Sequence, residues 1–233
     1  MSRCWWRHSS TPWTRDWVAE MADYRLIENH YVLPTPGGAF HAVSQQEKDP
    51  MRGLLCALLR ESSTPLLTQE ALERWSGLSG EDALEALFHI QNQGWIEGFT
   101  DARATPPGAL ESILPELLPP LSGGGKALLA DSHGFYVAAA GFTHEAAVEL
   151  SALSADIASL DARHYNLTRN NLRLTANAWT LSDAAGNSHL GFWPLFIDEH
   201  RFVLVIQDVP QLNQSAFTSM VWALYTRYSN KDA

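Results

Sequence analysis

The sequence predicts an α+β protein whose C-terminal half forms a five-stranded antiparallel sheet flanked by helices. Short apolar runs at 127–130, 135–140, 174–181, 189–197 and 201–208 have the length of strands, and turn-forming residues separate most of them. Two longer segments, 143–160 and 213–228, place apolar residues at helical spacing. With a short helix before the first strand, the order is helix, two strands, helix, three strands, helix. This order is typical of an α+β arrangement rather than a parallel sheet.

The composition is that of an ordinary globular protein. The 233 residues are 45% hydrophobic and 18% charged, which excludes a disordered or collagen-like chain. A net charge of −10 repels phosphate backbones and anionic lipid, so nucleic acid and membranes are disfavoured as partners. Two cysteines cannot form a disulfide framework, and no apolar run suits a membrane span or a signal peptide. We therefore expect a cytoplasmic protein.

Residues 1–50 are predicted to form an N-terminal arm. Two apolar runs, 31–33 and 39–43, flank the sequence Pro34-Thr35-Pro36-Gly37-Gly38, whose turn chemistry predicts a hairpin or a folded-back extended arm. Four of the nine tryptophans lie in the first seventeen residues. This stretch is interpreted either as poorly ordered or as a docking peptide.

Residues 51–104 are predicted to form three helices followed by a short strand. Leucines at helical spacing predict the first helix over 51–60, Thr68 caps the second over 69–75, and the third begins near Ser79 and ends at Gly94. A strand over 95–99 follows. This order, with Leu-x-x-Leu before Gly-Trp-Ile, resembles the winged-helix domains, which implies either DNA binding or a protein-binding variant of that fold.

Residues 105–122 are predicted to be a linker that contains a short helix. Prolines and glycines break the chain at 105–108 and again at 119–125, and the segment 109–118 between them has amphipathic spacing, with Pro115 inside it. The run Ser122-Gly123-Gly124-Gly125-Lys126 is not a phosphate-binding loop. Pro120 stands where that motif needs glycine, and Ala127 where it needs the hydroxyl that holds magnesium.

No constellation of residues predicts catalysis, a metal or a cofactor. The histidines and cysteines lack the spacing of metal ligands. Asp131-Ser132-His133 contains the letters of a catalytic triad, but adjacent residues in a hairpin turn cannot converge on one substrate atom. Asp198-Glu199-His200 lies where two strands need a solvated turn. We therefore expect no catalytic, metal-binding or cofactor-binding residue, and a protein that is not an enzyme.

The predicted hairpin at the start of residues 123–233 carries a second resemblance. The run over 128–141 reads Leu-Leu-Ala-Asp-Ser-His-Gly-Phe-Tyr-Val-Ala-Ala-Ala-Gly. A strand ends in a polar-Asp-x-Gly turn, and the return strand leads to a helix rich in Ala, Leu and Ser. Together with the element order over 109–229, this pattern resembles the Roadblock/dynein-light-chain domain. Profilin-like, longin and sensory domains share a similar layout.

The resemblance implies a function that no motif shows. Bacterial relatives of the Roadblock family regulate small Ras-like GTPases as activating subunits, nucleotide-state readers or scaffolds. In that family the helix that corresponds to 143–160 and one sheet edge form the homodimer and face the GTPase. Arg173 and Arg201 lie in the matching domain, although neither is marked as an arginine finger.

The helix predicted from Thr143 has two stripes. Leu150, Leu153 and Ile157 form an apolar face. A second stripe consists of small residues at spacings of four, three and four, namely Ala147, Ser151, Ser154 and Ala158. A smooth face lets another helix approach closely, so these four are the predicted partner-binding residues. The alternative is that this stripe packs on the sheet.

The main hypothesis is a non-enzymatic regulatory or adaptor protein that binds a small GTPase and forms a homodimer. The first alternative is a winged-helix transcription regulator with a C-terminal sensing domain. It is disfavoured because the third helix begins with Glu81 and Asp82 and has no Lys or Arg before Gly94. The second alternative is a scaffold subunit of a larger secretion or motility assembly.

Overall fold

The computed structural model describes residues 26–27, 29–47 and 49–229. Its N-terminal half contains strand β1 (Tyr31–Pro34), helices α1 (Pro36–Val43), α2 (Pro50–Arg60), α3 (Gln69–Ser76) and α4 (Gly80–Asn92), and strand β2 (Ile96–Phe99). Its C-terminal half contains α5 (Leu110–Leu117), β3 (Ala127–Ala130), β4 (Tyr136–Ala140), α6 (His144–Arg163), β5 (Trp179–Ser182), β6 (Ser188–Ile197), β7 (His200–Gln207) and α7 (Ser215–Tyr228). Within the described ranges, no helix has the length and apolar character that crossing a bilayer requires. The Trp-rich stretch at the N-terminus lies outside them.

The predicted α+β fold with a five-stranded antiparallel sheet is confirmed. The strands lie in the order β4-β3-β7-β6-β5, and each neighbouring pair is antiparallel. β6 and β7 form the longest hairpin, paired from Leu190 opposite Gln207 to Ile197 opposite His200. β5 is shorter than the predicted strand over 174–181, because a π-helical turn (Asn166–Asn171) and an irregular segment follow α6.

The predicted hairpin over 31–43 is wrong. β1 pairs with β2, with Tyr31 opposite Phe99, and the second apolar run forms α1. The Thr35 hydroxyl accepts from the Gly38 amide at 3.2 Å, and Pro36 occupies the first helical turn, so the residues interpreted as a turn begin a helix. A Cβ on Gly38 would lie 1.9 Å from the Trp95 carbonyl oxygen, so a glycine here allows α1 to contact the start of β2.

The two halves of the chain share one hydrophobic core. α1, α2 and α5 pack against α7, and a continuous cluster of buried side chains runs from Val32 in β1 to Tyr225 in α7. The segment predicted to be a linker contributes to that core. Its helix α5 and the turn after it bury Leu110, Leu114, Leu118 and Leu121.

Polar contacts reinforce the junction between α2 and the C-terminal half. The Trp222 indole donates to the Glu61 carbonyl at 2.6 Å, and the Tyr225 hydroxyl donates to Cys56 Sγ at 3.0 Å. The Arg60 guanidinium forms an ion pair with Asp198 in the β6–β7 turn. Burial raises the pKa of the Cys56 thiol, so the group stays protonated within the junction.

Candidate functional site

Helix α6 turns its small-residue stripe inward. Ala147, Ser151 and Ser154 are at most 1% exposed and lie against the sheet. The Ser151 hydroxyl donates to the Ala147 carbonyl at 2.5 Å and the Ser154 hydroxyl to the Ser151 carbonyl at 2.7 Å, so both are satisfied within the helix. Ala158 is half-buried at the edge of a cavity described below. A partner cannot reach Ala147, Ser151 and Ser154 while α6 rests on the sheet. These three residues fit the alternative interpretation, in which the stripe packs on the sheet.

Large side chains on the sheet explain why the small residues of α6 face inward. The sheet face beneath α6 carries large side chains, namely Leu128, Phe192, Val203 and Val205. Small residues on the helix let its backbone approach such a surface closely without a clash. The β3–β4 turn is equally close, since a Cβ on Gly134 would lie 3.3 Å from the Ala155 side chain.

The opposite face of α6 leaves apolar side chains in solvent. Leu153 is 40% exposed and Leu160 is 36% exposed. They are seven residues apart, which places them two turns apart on one stripe. Val148 is also exposed nearer the start of the helix, and the acidic residues Glu145, Glu149 and Asp156 are exposed on the same helix. Leu153, which was predicted to face the core, therefore lies on the surface together with Leu160.

Strand β5 provides an unpaired sheet edge beside the same helix. It is the last strand in the order and pairs only with β6 among the described strands, so its outer backbone groups are free to pair. Its Leu181 side chain is exposed. The Trp179 indole at the start of β5 donates to the Asp161 carboxylate near the end of α6, at 3.2 Å. The exposed leucines of α6 and the free edge of β5 we call the α6–β5 surface, defined by Leu153, Leu160 and residues 179–182.

A cavity of about 380 Å³ opens under the second half of α6. Ile157 and Ala158 form its helix wall, and Trp179 of β5 forms one side. Its floor is the end of the β6–β7 hairpin, with Phe192, Pro194, Phe196, Arg201 and Val203. The volume falls within the range of about 300–1,000 Å³ that is usual for small-molecule sites.

Loops from both halves of the chain meet at the mouth of this cavity. The Asn177 side-chain amide donates to the Ser44 carbonyl, and the Gln45 amide reaches the Thr175 carbonyl at 3.4 Å. The Tyr165 hydroxyl donates to Glu47 at 3.1 Å, and this hydrogen bond raises the tyrosine pKa. The segments 44–47 and 165–177 are therefore held together by hydrogen bonds at the mouth of the cavity.

Most polar side chains around the cavity already have protein partners. Asp161 accepts from Trp179, Glu47 accepts from Tyr165, and the Arg169 guanidinium donates to the carbonyls of Leu174 and Ala176. Arg201 differs from them. Its Nε is buried without a hydrogen-bond partner, and within the described ranges its guanidinium forms no ion pair.

The two arginines considered for a finger role are separated by the structure. Arg201 lines the cavity floor, whereas Arg173 is exposed in the segment after α6, with φ of 54°. Cross-strand pairing places Arg201 opposite Phe196 on the β6–β7 hairpin. Sequence reasoning noted Arg201 only by its domain. The alternation of Arg201, Val203 and Val205 along β7 is the signal that places it on the face under α6.

The other motifs considered in the sequence form turns. Asp131 Oδ1 accepts from the amides of His133 and Phe135, which closes the β3–β4 turn. Asp198 is held by Arg60 in the β6–β7 turn. The Ser122 hydroxyl donates to the Gln207 carbonyl at 2.6 Å, so the glycine run leads into β3 along the end of β7. Among the described residues, no three His, Cys, Asp or Glu side chains are grouped as a metal site requires.

The exposed side of α4 is acidic. Glu81, Asp82 and Glu85 are exposed on this helix, which corresponds to the third helix of the predicted winged-helix segment. Each carboxylate on such a surface repels a phosphate backbone.

Comparison of the chain with known protein families, with curated proteins and with solved structures found no match.

Proposed function

We propose that this protein is a non-enzymatic regulatory or adaptor protein that self-associates through a Roadblock-like C-terminal half and binds a small Ras-like GTPase. The observation that carries the proposal is the α6–β5 surface, which combines exposed leucines on α6 with a strand that pairs only with β6 among the described strands. The hydrogen bond from Trp179 to Asp161 links the two elements. The order of helices and strands over 109–229 agrees with the resemblance from which the GTPase is inferred.

A second copy of the chain is the occupant that suits the α6–β5 surface. An exposed strand edge is a template for pairing with another strand, and a twofold axis would pair β5 with its own copy. The same axis would set two α6 helices antiparallel. This arrangement covers Leu153, Leu160 and Leu181 together.

Regulation of the GTPase would act through its nucleotide state. A partner shifts a switch only by binding one state more tightly than the other. Arg201 is not available as an arginine finger, because its Nε is buried within the cavity floor. If the protein stimulates hydrolysis, it would position residues of the GTPase itself.

The self-association is tested by sedimentation velocity on the full chain. Leu160→Glu places a charge at the centre of the surface, and Leu66→Glu is the matched control, since Leu66 in the N-terminal half is 39% exposed. We expect wild type and Leu66→Glu to sediment as dimers and Leu160→Glu as a monomer. A monomeric wild type at micromolar concentrations, or a dimeric Leu160→Glu, would overturn this part of the proposal.

The partner is tested by capture from native cytosol with the tagged protein, in parallel with GDP and with a non-hydrolysable GTP analogue. We expect a small GTPase in only one of the two samples. A large complex captured regardless of nucleotide would favour the scaffold alternative. A shifted band with genomic DNA fragments at low salt would favour the transcription regulator.

A further inference from the structure

The cavity beneath α6 has one cationic group without a counterpart. A buried donor that lacks an acceptor destabilises the folded state, and does so more strongly when the group is charged. Arg201 Nε is such a donor, whereas Asp161, Glu47 and Arg169 have partners. The missing partner of Arg201 is therefore an acceptor, and the guanidinium fork matches a carboxylate or another oxyanion.

We infer that this cavity binds a small amphipathic anion, with an oxyanion head group on Arg201 and an apolar body against the aromatic floor. The unpartnered donor places the head group at Arg201, because Arg201 is the one cation at the cavity, among the described residues, whose guanidinium has no partner. The Glu47 and Asp161 carboxylates are held by Tyr165 and Trp179. Phe192, Phe196 and Trp179 supply the surface for the body. Binding sites of this kind join a mostly apolar lining to a few polar groups that set orientation.

The position of the cavity gives the ligand contacts with both halves of the chain. Gln45, Gln46 and Glu47 come from the N-terminal half and line the cavity together with α6 and the β6–β7 hairpin. A bound anion would therefore stabilise the contact between residues 44–47 and 165–177. This inference is independent of the GTPase proposal, since it requires neither Leu153 nor Leu160 nor backbone pairing at the β5 edge. Trp179 belongs to both regions, but only its side chain lines the cavity.

The first probe is anilinonaphthalene sulfonate, an aromatic anion whose fluorescence rises in an apolar site. Decanoate and decanol then compete for the probe, because they share one apolar chain and differ in charge. We expect saturable binding of one probe per chain, displacement by decanoate, and displacement by decanol at concentrations at least about tenfold higher. Equal competition by the two compounds would overturn the assignment of an anion site.

The residue is tested with Arg201→Gln, which keeps a long polar side chain but removes the charge. Arg173→Gln is the matched control, because Arg173 is an exposed arginine of the same region. We expect Arg201→Gln to weaken decanoate binding by about tenfold or more and Arg173→Gln to leave it unchanged. Unchanged binding by Arg201→Gln, or equal loss in both variants, would contradict the role of Arg201.

A second variant covers the case in which Arg201→Gln unfolds. Ala158→Phe fills the cavity from the helix wall, where Ala158 is half-buried. It should abolish probe binding while the circular dichroism spectrum stays that of wild type. Leu160→Glu should still bind decanoate, which separates this site from self-association. Probe binding retained by a folded Ala158→Phe would place the ligand elsewhere and refute the inference.

Discussion

The two faces of the five-stranded sheet are covered in different ways. One face, with Ala127, Leu129, Leu204 and Ile206, meets α7 and the helices of the N-terminal half in a continuous core. The other face, with Leu128, Val203 and Val205, meets α6 and a smaller cluster. The cavity opens on the second side.

The α7 face has the contacts that stabilise the fold, whereas the α6 face has the features that suit binding. On the α7 face, side chains from both halves interlock and polar contacts such as Tyr225–Cys56 lie inside the junction. On the α6 face, the second half of the helix leaves a space of about 380 Å³ and an unpaired arginine donor. The α7 side also buries unpartnered polar atoms, Trp75 Nε1 and Thr218 Oγ1, but both groups are neutral. A charged donor beside a cavity costs more stability, so its presence on the α6 face points to recognition there.

The largest expected effect comes from a matched pair of phenylalanines. Phe217 in α7 is fully buried and lies 6.1 Å from the Phe40 ring, whereas Phe196 in β6 is half-buried at the cavity. Phe217→Ala should lower the free energy of unfolding by about 3–5 kcal/mol, since it opens a hole in a packed core. Phe196→Ala should lower it by about 1 kcal/mol, because the removed ring already borders open space. Urea unfolding of both variants measures the difference.

The contrast between the two faces requires that Phe217→Ala lose more stability than Phe196→Ala. A Phe196→Ala variant that loses as much stability as Phe217→Ala would mean that the α6 face is packed as tightly as the α7 face. The slope of unfolding free energy against urea should stay that of wild type in both variants, which verifies that the same surface is exposed on unfolding.

A smaller effect is expected from the ion pair at the junction. The Arg60 and Asp198 side chains are 26% and 10% exposed, so the pair is partly shielded from water. Arg60→Met should destabilise the protein by about 2 kcal/mol, because it leaves a buried carboxylate unpaired. A double-mutant cycle with Asp198→Asn should give a coupling energy of about 1–2 kcal/mol.

The exposed pair His89–Glu85 is the control for that cycle. Both of its side chains are more than half exposed on α4, with 3.4 Å between His89 Nε2 and Glu85 Oε1. Its coupling energy should be about 0–0.5 kcal/mol. Equal coupling in the two cycles would show that the junction gains nothing from shielding the Arg60–Asp198 pair.

The elements of this molecule were largely predictable from local patterns, but their faces were not. Thr143 and the apolar spacing after it predict α6, and the structure has the helix with the Thr143 hydroxyl accepting from the Ala146 amide at 3.3 Å. Which stripe faces the sheet depends on the bulk of Phe192 and Val203, about forty and fifty residues further along the chain. Hydropathy favoured the leucine stripe, and close approach favoured the small residues.

Contacts between residues far apart in the chain could not be predicted from the sequence for the same reason. The run from Pro34 to Gly38 indicated a turn, whereas in the structure Thr35 and Pro36 begin α1. Only the contact of Gly38 with Trp95 explains the glycine. Arg60 and Asp198 are 138 residues apart, and nothing in either local pattern indicates their pairing. The cavity arises from an alternation on β7 combined with the end of α6, so one sequence cannot reveal it.

The smallest expected effect is a pH dependence on the α7 side of the molecule. His41 lies in α1, where its ring stacks on Trp95 with centroids 4.0 Å apart and its Nε2 lies 3.5 Å from an Arg52 nitrogen. Burial and then the charge of Arg52 lower the pKa of His41 below the ordinary value of 6.5, against a smaller opposing effect of Asp49. The unfolded chain therefore takes up a proton before the folded chain does. The free energy of unfolding should fall as the pH is lowered from about 7 to about 5.

His41→Phe isolates this contribution, because phenylalanine keeps a ring on Trp95 and cannot titrate. Its free energy of unfolding should change less between about pH 7 and about pH 5 than that of wild type. His133→Gln is the control, since the His133 side chain is 79% exposed in the β3–β4 turn, and this variant should keep the wild-type slope. An identical slope in His41→Phe and wild type would mean that protonation of His41 does not oppose folding. The packing of α1 on the α7 face would then tolerate a charge beside Arg52, which the tight coverage of that face argues against.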